Sequence, residues 1–363
     1  MRTSFFRFFL AAVVTAGSLE ATARASDFFQ YGADPLKPYN RSVLEMRTPY
    51  GTFGRPDAHF EKWRLNHHGL RGPDLGPKQP GEIRVVAMGA SDTFGLHEPE
   101  GQEWPAQLNR LVQAEYGRSV HVINGAFYGL KLPGTTAYLK ERILPLQPDI
   151  VILYVSLLHR AFFTGDNAKG AGRLDRTEGP ESGAKIAGFE WRMARKIKEK
   201  FKEILPAGWL YRWNVEHFRK KIERIRSRGQ VQVTSVVDER LFQETAGDLE
   251  EFIWFAQERG IRVILTSHLN NTTDEWGLLN FQFLLPAFEP DTIRQILDRM
   301  NQVTAQKARE HGLAFVDVAA RVKPGAPRMA DHVHLTGEGA QLVAQALMPE
   351  LKTVVETLGP EKP

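Results

Sequence analysis

Short, mainly apolar segments separated by amphipathic helical segments constrain the fold of this chain more than any other feature. The strongest of them is residues 149–155, and residues 83–88 and 261–266 have the same character. Strands that are apolar on both faces are typical of the centre of a parallel sheet, because helices cover both of its sides. We therefore predict an α/β fold, a three-layer α/β/α sandwich with a mostly parallel, flavodoxin-like sheet.

The remaining periodicity completes the alternation of strands and helices. Weaker strands are predicted at residues 120–123 and 314–318. Apolar residues at helical spacing predict helices at residues 104–116, 135–144, 238–259, 290–311 and 337–357.

The N-terminus has the pattern of an export signal. Arg2 and Arg7 supply positive charge, residues 8–16 are apolar, and Ala23-Arg24-Ala25 has the small-x-small form of a cleavage site. The apolar run is shorter than the roughly 20 residues that span a bilayer. We expect residues 1–25 to be a cleaved signal peptide of a periplasmic or secreted protein, with an uncleaved anchor as the alternative.

The rest of the chain divides by composition. Residues 26–80 are rich in Pro, Gly and aromatic residues and predict an irregular arm, whereas residues 81–357 form the α/β domain and 358–363 a tail. Residues 160–235 interrupt the alternation and are interpreted as a basic helical insertion, a lid or docking element near the ligand crevice. The absence of cysteine (Cys 0) excludes disulfides, a thiolate zinc site and a cysteine nucleophile.

Positive charge is concentrated between residues 192 and 228, although the net charge of the chain is only +4. Such a tract can bind an anionic glycan or an anionic membrane surface, or it can be a solvated helical face. Nucleic acid is not expected as a partner of an exported protein. The basic residues are Arg192, Arg195, Lys196, Lys198, Lys200, Lys202, Arg212, Arg219, Lys220, Lys221, Arg224, Arg226 and Arg228.

A serine lies directly after the predicted strand at residues 83–88, in the segment Gly89–Gly95 (GASDTFG). A serine between a buried strand and a helix lies at the carboxyl edge of the sheet, with its own N–H facing the crevice. Small neighbours permit a tight turn and close approach of a substrate. Ser91 is therefore the candidate nucleophile, and the alternative is an ordinary turn or N-cap residue.

A second chemical signal lies near the C-terminus, in Asp331–Gly339 (DHVHLTGEG) just before a predicted helix. A serine nucleophile needs a base, and the base needs an acceptor that fixes its tautomer. Asp331 and His334 are three residues apart, so one turn of chain can direct both side chains into one crevice. The alternatives are a metal site that adds His332, or a surface loop without a role.

Together the two segments resemble those of the SGNH (GDSL-like) hydrolase superfamily. Gly89–Gly95 resembles its first block, with Ala90 in place of the usual Asp, and Asp331–Gly339 resembles its last block. Asn66–Gly72 (NHHGLRG) is similar to an upstream segment in a bacterial branch of that family. The resemblance covers residues 66–160 and 238–357 and implies a Ser91, His334 and Asp331 triad.

The family also supplies an oxyanion hole, and this chain departs from the family pattern there. The resemblance implies that the N–H groups of Ser91 and Gly129 are two of its donors. The third family donor is an Asn side chain, and Leu158 occupies that position. Because Leu has no donor, Ser156, His159 and Asn167 are the candidate substitutes.

These observations favour serine-dependent hydrolysis of O-acyl esters, with an envelope carbohydrate or lipid as the substrate. Transfer of an acyl group to a polysaccharide by the same triad is the first alternative, with the insertion shielding the acyl-enzyme from water. A catalytically weak glycan-binding protein is the second, because the Asn donor is missing. No motif indicates a cofactor or a resident metal, and the residues that bind the substrate are not identified by the sequence.

Overall fold

A computed structural model describes residues 2–48, 51–154, 185–186, 189–205, 207–227 and 231–359 of the chain. Its helices are α1 (Arg2–Tyr31), α2 (Ser91–Phe94), α3 (Trp104–Tyr116), α4 (Thr135–Tyr138), α5 (Arg192–Ile204), α6 (Ala207–Ser227), α7 (Arg240–Gln257), α8 (Glu275–Leu284), α9 (Pro290–Glu310), α10 (Val318–Arg321) and α11 (Gly337–Glu356). Its strands are β1 (Glu45–Thr48), β2 (Gly51–Gly54), β3 (His59–Phe60), β4 (Trp63–Arg64), β5 (Ile83–Gly89), β6 (Val120–Asn124), β7 (Ile150–Tyr154), β8 (Lys185–Ile186), β9 (Phe189–Glu190), β10 (Arg262–Thr266) and β11 (Ala314–Val316).

The central sheet has five strands in the order β11-β10-β7-β5-β6, and every neighbouring pair is parallel. In its middle, Val86 pairs with Val151 and Ile264 pairs with Ile152. All seven residues of β5 and all five of β7 are buried. The predicted α/β class and parallel sheet are therefore confirmed, and the strands predicted from apolar runs coincide with the five strands of this sheet.

Alternate residues of each strand face two separate apolar layers, as the two-residue period of a strand requires. Val86 and Val151 pack with the layer that includes Phe252 of α7 and Ile296 of α9. The opposite layer contains Val85, Ile150 and Ile264 of the sheet together with Trp104, Leu108, Leu347 and Leu351 of α3 and α11. Helices therefore cover both faces of the sheet, and the protein has the predicted three-layer arrangement.

The segment predicted as an irregular arm contains regular structure. Strands β1 and β2 form one antiparallel pair and β3 and β4 a second. Tyr39, Phe53 and Trp63 are buried in the same apolar layer as Val86. Short hairpins of two to four residues per strand leave little periodicity in a sequence, which is why composition alone predicted an arm without strands.

The N-terminal helix is longer than the apolar run in the sequence suggests. A single helix extends to Tyr31, and its part from Phe6 to Tyr31 (26 residues) is long and apolar enough to cross a membrane. An N-terminal apolar helix of this kind also fits a signal sequence. The expected boundary after Ala25 therefore lies inside a continuous helix and not at its end.

In its described residues, the predicted insertion at residues 160–235 contains two helices and, before them, the short antiparallel pair of β8 and β9. Helices α5 and α6 lie within it, and Val215 and Ile222 of α6 pack on Leu279 of α8. Helix α8 was not predicted, because its sequence is apolar on most sides and gives no helical period. At residues 135–144 the predicted helix begins as α4 and continues as a π-helical turn at Leu139–Ile143.

Candidate active site

The turn after β5 holds Ser91 at the carboxyl edge of the sheet. Strand β5 ends at Gly89, which pairs with Tyr154 of β7, and Ser91 begins the short helix α2. A Cβ atom on Gly89 would overlap the Tyr154 carbonyl oxygen and the Thr93 hydroxyl. Only glycine permits this close approach, so the geometry of the turn requires glycine at position 89.

The structure brings Ser91, His334 and Asp331 together. The distance from His334 Nε2 to Ser91 Oγ is 2.8 Å, across 243 positions of the chain. The distance from His334 Nδ1 to Asp331 Oδ2 is 2.6 Å. The three side chains thus form a continuous chain of hydrogen bonds from hydroxyl to imidazole to carboxylate, the arrangement that the sequence predicted.

Packing of α11 against α3 explains how two distant segments meet. Helix α3 follows the Ser91 turn, and α11 follows the Asp331–His334 segment; both helices share one apolar layer. The Gln107 side chain of α3 donates a hydrogen bond to the Gly337 carbonyl at 2.9 Å. The first turn of α11 is therefore fixed beside the helix that follows Ser91.

The Asp331 carboxylate also shapes its own loop. Its Oδ1 accepts hydrogen bonds from the N–H groups of Val333 at 2.9 Å and His334 at 2.8 Å. An Asp that accepts from residues two and three positions later forms a local turn. Asp331 therefore contacts the His334 imidazole and also fixes the backbone conformation of His334. Both contacts depend on the spacing of three residues between them.

Burial and mutual charge act in opposite directions on this pair. Burial favours the neutral form of Asp331, but the positive charges of His334 and His332 outweigh it and hold the pKa of Asp331 well below its usual range. Burial likewise lowers the pKa of His334, but the Asp331 carboxylate outweighs it, so the pKa of His334 is raised above its ordinary value. The imidazole is therefore a stronger base than a free histidine, and its partner stays ionised.

A buried arginine supports the loop that follows Ser91. Arg71 lies in the Asn66–Gly72 segment, and its guanidinium donates to the carbonyls of Phe94, Gly95 and Glu98. Its other neighbour is the buried Glu103 carboxylate at 3.5 Å. The upstream segment identified in the sequence therefore has a physical role, which is to hold residues 94–98 beside the Ser91 turn.

That loop brings His97 and Glu98 close to the imidazole of His334. The rings of His97 and His334 are 5.1 Å apart, and His97 Nε2 is 3.7 Å from Asp331 Oδ2. Burial raises the pKa of Glu98 to about 7. Neither residue was a candidate in the sequence, where nothing relates residues 97–98 to residues 331–334.

Potential metal-ligating atoms of His97, Asp331 and His334 lie within 4.8 Å of one another. The sequence offered a different set, with His332 in place of His97. The His332 ring packs edge-on against Phe281 at 4.8 Å. Because both ring nitrogens of His334 already face Ser91 and Asp331, a cation at the His97 cluster would have to replace those hydrogen bonds.

A second carboxylate–histidine pair involves Asp92, the residue that follows Ser91. Asp92 Oδ2 is 2.6 Å from His268 Nε2, and only 1% of Asp92 and 5% of His268 is exposed. The other ring nitrogen of His268 is 3.0 Å from Asn270 Oδ1. His268 follows strand β10, and the structure buries it against Asp92.

The predicted oxyanion donors are only partly within the described residues. Gly129 lies in the loop after β6, and its φ of 79° is in the left-handed region that favours glycine. In the same loop the Phe127 N–H donates to the Gly89 carbonyl at 3.4 Å. In the described ranges, the N–H groups of Ser91 and Gly129 donate no hydrogen bond to another group. Ser156, His159, Asn167 and Leu158 lie outside the described residues.

The basic tract is divided between two environments. Arg192, Arg195 and Lys196 face the interior and form ion pairs with Asp27. Lys198, Lys200, Arg212 and Arg224 are exposed. The tract is therefore not one uniform charged face, and its predicted glycan or membrane partner stays a prediction.

No protein-family model matches the chain, and no curated protein matches it. Among solved structures, the acetylxylan esterase Axe2 from Geobacillus stearothermophilus is 16% identical with a TM-score of 0.44, over 74% of this chain and 94% of Axe2. A GDSL-like lipase from Bacteroides thetaiotaomicron VPI-5482 is 16% identical with a TM-score of 0.42, over 78% of this chain and 93% of that lipase.

Proposed function

We propose that the protein is a serine esterase that hydrolyses O-acyl esters. The observation that carries this proposal is the pair of hydrogen bonds that joins Ser91 Oγ, His334 and Asp331, at 2.8 and 2.6 Å. A hydroxyl, a base and an orienting carboxylate in this order are the groups that activate a serine for attack on a carbonyl. Because an N-terminal apolar helix fits export, envelope carbohydrate and lipid esters are the substrates we propose.

In the acylation step, His334 Nε2 takes the proton of Ser91 as the hydroxyl oxygen attacks the ester carbonyl carbon. Asp331 accepts a hydrogen bond from Nδ1–H and stabilises the imidazolium that forms. The N–H groups of Ser91 and Gly129 are the proposed donors to the oxyanion. His334 then gives its proton to the departing alcohol oxygen, which leaves an acyl group on Ser91.

In the second step, His334 removes a proton from water, and the resulting hydroxide attacks the acyl carbonyl. Collapse of this intermediate returns the proton to Ser91 Oγ and releases the free acid. The high pKa of His334 favours proton uptake in both steps, because the imidazolium is stabilised by a buried carboxylate. These side chains and water account for every proton and bond of the cycle.

We expect Ser91→Ala to lower kcat for a short-chain aryl ester by about 10³-fold or more, since Ser91 supplies the hydroxyl that contacts His334 in the described part of the chain. The measurement is steady-state release of the alcohol and the free acid by purified protein. The matched control is Ser42→Ala, a serine in the N-terminal arm that bonds to Asn40. Unchanged turnover in Ser91→Ala would refute the proposal, and acyl groups found on an added glycan without free acid would refute hydrolysis.

Glu98 gives a prediction on pH dependence. The acid limb of kcat/KM reports the loss of neutral His334 in the free enzyme, so its midpoint is expected above pH 6.5. The charge of Glu98 contributes to the raised pKa of His334. The pKa of Glu98 is itself raised to about 7, so its carboxyl is charged mainly on the upper part of that limb. Glu98→Gln keeps the size of the side chain and removes this partial charge, so the acid limb is expected to move to lower pH by well under about 1 unit.

The control for this shift is Glu100→Gln, which removes the same charge from an exposed position two residues away. Solvent and salt screen exposed charges, so its acid limb is expected to stay within error of the wild type. If the acid limb of kcat/KM does not move in Glu98→Gln, or moves equally in both variants, then the Glu98 carboxylate does not help to raise the pKa of His334.

A further inference from the structure

The first part of helix α1 is exposed and, apart from Arg7 and Thr15, carries apolar side chains from residue 6 to residue 15. Residues 6–15 are all exposed, and the exposed large side chains there are Phe6, Phe8, Phe9, Leu10, Val13 and Val14. A helix that is apolar all round is stable in a protein core or in a bilayer, but not in water. Since the described part of the domain leaves this segment uncovered, a lipid environment is the one its composition fits.

The second part of α1 differs, because it carries two buried carboxylates. Only 5% of Glu20 and 1% of Asp27 is exposed. Glu20 accepts hydrogen bonds from the N–H groups of Arg192 at 3.2 Å and Met193 at 3.0 Å, the first two residues of α5. It therefore satisfies two backbone donors that a helix N-terminus otherwise leaves without an intrahelical partner.

Asp27 is the centre of a buried ion cluster. Its carboxylate lies 3.5 Å from Arg192, 3.4 Å from Arg195 and 2.7 Å from Lys196. A buried charge that loses one partner is strongly destabilising, because the remaining charge has no compensation. The cluster therefore ties α1 to α5 through contacts that are costly to remove.

The same arginines also bind the segment that follows α1. Arg192 donates to the carbonyls of Asp34 and Lys37, both at 2.6 Å, and Arg195 contacts Glu61 at 2.6 Å. Ala23 is buried in the same region. Cleavage after Ala25 would remove Glu20 and Ala23 from a cluster in which three segments of the chain meet.

We propose that α1 is retained in the mature protein, with residues 2–19 in a lipid bilayer and residues 20–31 as part of the folded domain. The proposed membrane segment has about 18 residues and a length of about 27 Å at 1.5 Å per residue, within the range that spans a bilayer. Arg7 lies near its start, where a long basic side chain reaches the interface. The protein is then anchored at its N-terminus, and the domain begins at Glu20.

The first test compares the mass and location of two exported full-length chains with C-terminal tags, the wild type and Ala25→Arg. Ala25 is exposed, so the substitution leaves the fold intact while it destroys the small-x-small cleavage pattern. We expect both chains to retain residues 2–25 and to stay with the membrane after alkaline carbonate, leaving it only in detergent. A wild type that begins at Ser26 and is soluble, beside a longer Ala25→Arg chain, would overturn the proposal.

The second test asks whether residue 20 belongs to the folded domain. In detergent-purified full-length protein, Glu20→Ala is expected to lower Tm by on the order of 2 °C or more, because two N–H groups of α5 lose their acceptor. Thr22→Ala is the matched control, since Thr22 is exposed on the same helix and bonds only within it, to Ser18. Equal Tm values for the two variants would contradict the proposal. Neither test uses ester turnover, so each outcome is separate from that of the proposed esterase activity.

Discussion

Replacing His334 by alanine is expected to lower kcat for ester hydrolysis by about 10⁴-fold or more while the protein stays folded. The imidazole is the group that contacts both Ser91 Oγ and Asp331 Oδ2, at 2.8 and 2.6 Å. Without it, the serine proton has no acceptor and the leaving alcohol has no donor. Burst and steady-state measurements with an aryl ester would show loss of acylation and not of product release.

His97→Ala is the informative control for this prediction. His97 lies 5.1 Å from the His334 ring, and its potential ligand atoms lie within the same 4.8 Å cluster. Because His97 makes no hydrogen bond to Ser91, we expect its removal to change kcat by less than about tenfold. Equal losses in the two variants would instead indicate that both histidines bind one cation, and would contradict the general-base role of His334.

Replacing Asp92 by alanine is expected to destabilise the protein by about 1–3 kcal/mol, the usual cost of leaving buried hydrogen-bonding groups without their partner. Asp92 accepts hydrogen bonds from His268 at 2.6 Å and from the Thr93 N–H at 2.7 Å. Its pKa is held below the ordinary value because, although burial opposes ionisation, His268 outweighs burial. Urea unfolding of wild type and variant would measure the difference.

An exposed ion pair provides the comparison for Asp92. Asp291 lies 2.6 Å from Arg294, but 88% of its side chain is exposed. Surface pairs of this kind contribute at most about 1 kcal/mol, so Asp291→Ala is expected to leave unfolding nearly unchanged. Similar losses of unfolding free energy in the two variants, or no loss in Asp92→Ala, would show that the contact between Asp92 and His268 does not stabilise the fold.

Most of the sheet was predictable because its strands are buried on both faces. Burial on both faces requires an uninterrupted apolar run, as at residues 150–154, and such runs are visible without knowledge of tertiary contacts. The Asp331–His334 relation was predictable for a similar reason. It depends on a local turn of three residues, in which Asp331 bonds to the backbone of His334.

Other parts of the site depend on contacts between distant segments and left no local signal. Asp92 and His268 are 176 positions apart, and their pairing follows from β5 and β10 lying two strands apart in the sheet. Arg71 supports the loop at residues 94–98 from outside the α/β domain. A buried Asp beside a nucleophile and a His after a parallel strand are the weak signals that could have suggested the first pair.

Two acidic residues of the N-terminal helix are buried by contacts that left no local signal. The apolar residues end at Leu19, and the sequence predicted a boundary soon after them. Glu20 and Asp27 look like surface residues in the sequence, but they are buried because Arg192 and Arg195 lie opposite them. Charges that are compensated by a segment about 170 positions away do not show in any local hydropathy pattern.

Labelling by a fluorophosphonate, followed by mass mapping of the modified peptide, tests the central claim most directly. An activated serine attacks phosphorus and keeps the adduct, whereas an ordinary serine does not react. We predict one adduct, on Ser91, and none in the Ser91→Ala or His334→Ala protein. An unlabelled wild type, or an adduct that persists in His334→Ala, would contradict the claim that His334 activates Ser91.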